Sequence, residues 1–193
     1  METTNIQKLA RVLRVLIVIA FVCNLIALLM VPALALMRGV EELVGELLQL
    51  TPYENPLGVP LRLTITFVLS WGWVWTAGAY ELVLALFLWL CGTCTAVVLW
   101  QARKVLGTVM EGCPFHPANA HSMTRAGICC LVISVAALGR LIWGFCTYKS
   151  IGPLLTYNAL FVPVFAMAFL LCMVMSALFR QANELKEEND LTI

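Results

Sequence analysis

Few side chains in this sequence could do chemistry, and most of them lie inside apolar runs. Cys91-Gly-Thr-Cys94 has the C-x-x-C spacing of a dithiol redox pair. Its setting is a long uncharged run, where low dielectric disfavours the thiolate, so four small residues that let helices approach closely is the plainer reading. Cys113, His116 and His121 offer three metal-ligating side chains as C-x-x-H-x4-H. That spacing matches no closed zinc pattern. The surrounding Pro114-Phe115-His116-Pro117 reads as an extended approach to a helix with Pro117 in its first turn. Arg140 stands in an otherwise apolar run near its outer end. Such a residue snorkels, pairs with a carboxylate such as Glu81, or marks a transport path. No Ser-His-Asp set, H-E-x-x-H, phosphate-binding loop or dinucleotide fingerprint is present. The expectation is therefore no enzyme, no cofactor and no metal.

The elements that must position these residues follow from composition. Apolar residues make up 62% of the 193 residues and charged ones 12%. Soluble domains are near half apolar and a quarter charged, so the chain reads as an integral membrane protein. A net charge of +1 gives no hint of direct nucleic-acid binding. The first apolar run is longer than a signal-peptide core and lacks a cleavage site. A span needs about 20 residues at 1.5 Å each. Four runs qualify, at about 12–37, 80–104, 122–148 and 155–180. Pro32 lies late in the first, where a kink is expected, and Pro163 lies early in the last. Six cysteines, 23, 91, 94, 129, 130 and 172, fall inside these runs, where a free thiol behaves as a small hydrophobe.

Between the first two spans lies a segment, 38–79, expected outside the membrane. Leu43, Leu47, Leu48 and Leu50 suggest a short amphipathic surface helix. From Leu61 to Trp75 the odd positions are all apolar, while Arg62, Thr64, Thr66, Ser70, Gly72 and Thr76 are polar or small. Period two with Thr, Phe and Trp is a strand signal. The expectation is β-structure at the outer surface, a hairpin turning near Ser70 to Gly72. The rival reading is a fifth span.

Charge sets the parity. With four spans, Lys8, Arg11, Arg14, Arg103, Lys104, Arg125, Arg180 and Lys186 fall on one side. Arg38, Arg62, Arg140 and Lys149 fall on the other, with Glu41, Glu42, Glu46, Glu54 and Glu81. The positive-inside bias then puts both termini in the cytoplasm, and a fifth span would split the basic clusters. The cytoplasmic loop is 103–121 and the tail is 180–193. In the tail Leu178, Ala182 and Leu185 recur at helical spacing beside Phe179, opposite Gln181, Glu184, Lys186, Glu187 and Glu188. It reads either as a solvated helix end or as a docking stripe for a partner.

Two segments resemble a known family. Gly112-Cys-Pro-Phe-His-Pro-Ala-Asn119 resembles the G-x-P-F-[ST]-x-x-N segment of a bacterial membrane-protein family, domain of unknown function 2975. The ending Phe179-Arg-Gln-Ala-Asn-Glu-Leu-Lys-Glu-Glu-Asn-Asp-Leu-Thr-Ile193 resembles that family's ending. His116 departs from the family's Ser or Thr, the better helix N-caps. The resemblance implies no established activity. It implies a protein encoded beside a small helix-turn-helix regulator, hence a membrane-bound partner of that regulator rather than a DNA binder.

The expected fold is an all-α integral membrane protein of the bacterial inner membrane. It is a four-transmembrane-helix bundle, with a short helix and β-hairpin between spans one and two. The expected partner surface comprises Gly112, Pro114, Phe115, Asn119, Phe179, Arg180, Glu184, Leu185, Glu188, Asn189, Asp190 and Leu191. Besides the lipid bilayer, the expected partners are the regulator and, as an open alternative, a second copy of the chain. The alternative function is a small transporter or export/immunity component using the intramembrane polar residues Arg140 and Glu81. No inverted repeat supports transport.

Overall fold

The computed structural model describes residues 5–35, 58–73, 75, 78–112, 116–149 and 157–190. Five helices carry almost all of them: α1 (Asn5–Ala35), α2 (Gly58–Trp73), α3 (Ala79–Met110), α4 (Pro117–Tyr148) and α5 (Tyr157–Asp190). Among the described residues α1, α3, α4 and α5 are long and apolar enough to cross a membrane. Each exceeds the roughly 20 residues that a bilayer core requires. The chain forms two compact units, Met1–Leu25 with Cys91–Ile193, and Ile26–Leu90.

In the first unit the bulky apolar side chains lie on the outside. Leu16, Ile19, Val135, Met167, Leu170 and Leu171 are exposed, while Ala126, Cys130, Ile133, Ser134 and Ala137 are buried. This inversion suits a lipid solvent, because lipid tails give Leu no reason to leave them. Small residues then collect where helices meet. The buried positions of α4, namely 119, 122, 126, 127, 130, 133, 134 and 137, recur mostly at three- and four-residue steps and form one stripe. Against this stripe lies α5, running antiparallel. Ser176 donates to the Ala120 carbonyl at 2.8 Å, and Ser134 donates to the Val162 carbonyl at 2.9 Å. Between them, Gly127 brings the backbones close. A Cβ there would stand 3.2 Å from the Cβ of Cys172 and 3.5 Å from the Phe169 carbonyl. The first part of α1 lies antiparallel to α3: Asn24 donates to the Gly92 carbonyl at 2.9 Å, and Phe21 meets Trp100 at 6.0 Å between ring centroids. The mid-run asparagine is thus satisfied by backbone, as a polar group in hydrocarbon must be.

The second unit corrects the β-structure expected between Leu61 and Trp75. Gly58–Trp73 is helical, and no strand occurs among the described residues. A helix satisfies its backbone groups within itself, whereas a two-stranded hairpin leaves both outer edges unpaired beside lipid. The alternation of apolar and polar residues also allows helical neighbours. Phe67 and Trp71, one turn apart, meet edge-on at 6.4 Å, and Trp71 reaches Trp89 at 5.7 Å. Ser70 is buried, and its hydroxyl donates to the Phe67 carbonyl at 2.7 Å rather than marking a turn. At 16 residues, α2 is about 24 Å long, short of a full crossing. The expected amphipathic helix around Leu43–Leu50 lies outside the described residues.

Pro32 sits inside α1 without ending it. Proline has no N–H, and its ring pushes outward the carbonyl four residues earlier, here that of Leu28. The indole Nε1 of Trp89 donates to that carbonyl at 3.3 Å. The second unit therefore supplies from a side chain the donor that the helix lacks.

Candidate functional site

The polar residues of the first unit gather at one end, where α3 finishes, α4 begins and the second half of α5 passes. Helix α3 continues to Met110, past the point where charge resumes at Arg103. It stops at Gly112, whose φ of +78° is left-handed and suits glycine. The amides of Glu111 and Gly112 close the last turn on the Gly107 and Val109 carbonyls.

Helix α4 starts after His116. This residue is extended, and its Nδ1 accepts from the Ala118 amide at 3.2 Å, with Pro117 in the first turn. Histidine here performs the capping for which serine and threonine are usually preferred. Asn119 follows, 1% exposed. Its Nδ2 donates to Thr108 Oγ1 at 2.7 Å, and the threonine hydroxyl lies 2.8 Å from the Val105 carbonyl. Asn119 thus joins the last turn of α3 to the first of α4. Its side chain faces inward. On the other side of α4, Thr124 Oγ1 and Ser176 Oγ are 2.8 Å apart, fixing α5 against the same turn. The guanidinium of Arg14 on α1 reaches the Met110 sulfur at 3.8 Å. These contacts bring together the starts of α1 and α4 and the ends of α3 and α5, and with them the basic residues grouped by parity.

Two open grooves flank α4 at this end. One, of about 460 Å³, runs between α4 and α5 and is lined by His121, Thr124, Arg180, Asn183, Glu184 and Glu187. The other, of about 390 Å³, runs between α3 and α4 and includes Gln101, Lys104, Glu111, His121, Ser122 and Arg125. His121 borders both. Beyond the grooves α5 remains helical to Asp190, and Asn183 donates to Glu187 one turn on at 2.8 Å. Leu185 is 66% exposed among Glu184, Lys186, Glu187 and Glu188, and Leu178 is exposed too, while Phe179 is half-buried.

Of the residues singled out from sequence, Gly112, Asn119, Arg180 and Glu184 come to this end. Leu185 and Glu188 lie on the projecting turns of α5. Asn189 and Asp190 close the helix. Pro114, Phe115 and Leu191 lie outside the described residues. Arg140 is half-buried in α4. Glu81 belongs to the second unit, where it folds back over Gly78 in the first turn of α3. A Cβ on Gly78 would lie 2.6 Å from its Oε2. A carboxylate at a helix N-terminus is favoured by the helix dipole. The described cysteines are free. Thiols on different helices neighbour one another, Cys94 with Cys129 and Cys130 with Cys172. Sequence reasoning missed Gln101, Thr108, Ser122, Thr124 and Ser176. The signal for them was small polar residues at helical spacing beside the charged ends.

Helices of this length with an inverted apolar surface and a polar end define a multi-pass helical membrane protein. A family model described as Protein of unknown function (DUF2975) matches residues 49–193, and the chain belongs to that family. No curated protein matches it. No solved structure matches it.

Proposed function

We propose that this chain is a regulatory interaction protein of a bacterial inner membrane that catalyses no reaction and holds a cytoplasmic partner at its polar end. The carrying observation is that α5 does not stop where its apolar run stops. It continues as a helix past Arg180 and presents Leu185, largely exposed, within a charged surface beside the groove of His121 and Glu184. An apolar side chain held out on a rigid charged helix fits a helix-in-groove contact. The positive-inside bias supports a cytoplasmic setting for this end. The family resemblance supplies the partner, a small helix-turn-helix transcription regulator. Binding the chain would then keep the regulator at the membrane.

The test is co-purification of the regulator from membranes, with the full chain, with residues 180–193 deleted, and with Leu185→Glu. Recovery is expected to fall in both variants while the membrane content of the chain is unchanged. Equal recovery with all three would sink the docking role of α5.

A further inference from the structure

The groove between α3 and α4 has a floor and a rim of different character. Gln101 is 6% exposed and Ser122 is 8% exposed. Both line the groove, and neither bonds to another described residue. A buried amide or hydroxyl is unfavourable unless it is paired, so a polar ligand atom that pairs with it is bound preferentially. The rim carries two cations and one carboxylate among its described residues. Lys104 and Arg125 are exposed on it with His116 and His121, and the carboxylate is that of Glu111. The start of α4 adds the positive end of its dipole.

Depth identifies the ligand. Arg103 and Lys104 follow the uncharged run 82–102, and Arg125 precedes the uncharged run 126–139. These residues therefore stand where hydrocarbon gives way to headgroups, the level of lipid phosphates. We infer that this groove binds the phosphate headgroup of an anionic phospholipid, with Lys104 and Arg125 pairing the charge and Gln101 and Ser122 binding its polar atoms. The site uses no residue of the projecting end of α5 and shares only His121 with the groove beside that end.

The test uses the full chain in phosphatidylcholine nanodiscs carrying spin-labelled phosphatidylglycerol or spin-labelled phosphatidylcholine. Electron paramagnetic resonance reads the preference between the two labels. A preference for phosphatidylglycerol is expected. Lys104→Gln with Arg125→Gln should lower it by roughly fivefold per charge removed. Gln101→Leu should lower it with no change in charge. Arg11→Gln with Lys186→Gln, an equal charge loss at the same end, should leave it intact. So should deletion of residues 180–193, which separates this site from the docking role. Equal loss in both double variants would overturn the inference, as would no preference in the wild type or an unaltered preference in Gln101→Leu. Loss of the preference on adding inorganic phosphate at fixed ionic strength would transfer the site to a soluble anion and overturn the lipid assignment.

Discussion

Replacing Trp89 by Phe tests how α1 tolerates a proline. The indole N–H donates to the Leu28 carbonyl at 3.3 Å, the carbonyl that Pro32 leaves without its helical partner. Phe keeps most of the ring but removes the donor. A net hydrogen bond is worth about 0.5–1.5 kcal/mol, and bonds between membrane helices average about 0.6 with a maximum near 1.7. The 3.3 Å separation is at the long end of the range, which points to about 0.6–1 kcal/mol. Loss of ring area adds to the single-mutant effect, so the decisive quantity is a coupling. In a Pro32→Ala background residue 32 regains its amide and bonds Leu28 within the helix. There, Trp89→Phe costs only the packing difference. A double-mutant cycle with Trp89→Phe and Pro32→Ala should therefore give a coupling of about 0.6–1 kcal/mol. The assay is reversible unfolding in mixed micelles or by steric trapping in bicelles. If Trp89→Phe destabilises equally in both backgrounds, the indole is not serving the Leu28 carbonyl.

Two further outcomes follow from the packing of α4. Gly127→Leu should destabilise by about 1–3 kcal/mol in the same assay, because the added atoms meet the Cβ of Cys172 and the backbone of Phe169, which cannot swing aside. Gly127→Ala should cost much less, since one methyl needs a shift of a few tenths of an ångström and helix propensity returns up to about 1 kcal/mol. Equal costs would refute the close approach. At the start of α4, His116→Ala should lower stability by about 0.5–2 kcal/mol and His116→Ser should retain it, because the cap is the acceptor for the Ala118 amide. A thermal melt of the three proteins side by side checks the order.

Much of the architecture was legible in the residues. Length and hydropathy located the four long helices, because the bilayer thickness sets a minimum that few soluble segments meet. Charge parity anticipated which ends come together. The contacts of Arg14 with Met110, Asn119 with Thr108 and Ser176 with Ala120 agree with it. The strand signal of Leu61–Trp75 does not hold because residues four apart, such as Phe67 and Trp71, share parity in an alternation and are also neighbours on a helix. Pairing cost in lipid, not side-chain period, decides the backbone there. His116 serves as the cap although serine and threonine are the usual choice, since Nδ1 can accept an amide proton as a serine oxygen does.

By itself the sequence determined that this chain has four stretches long and apolar enough to cross a membrane, and which of their ends are basic. Those properties depend on the sum of side-chain transfer energies along short stretches, which neighbours elsewhere in the chain do not alter. Only the tertiary structure decided which polar atoms meet. Asn24 finds the Gly92 carbonyl, Trp89 finds Leu28, and Gln101 and Ser122 line the groove between α3 and α4. Such pairings depend on helix rotation and register to within an ångström, because a hydrogen bond has a narrow range of distance and angle. No transfer energy carries that information.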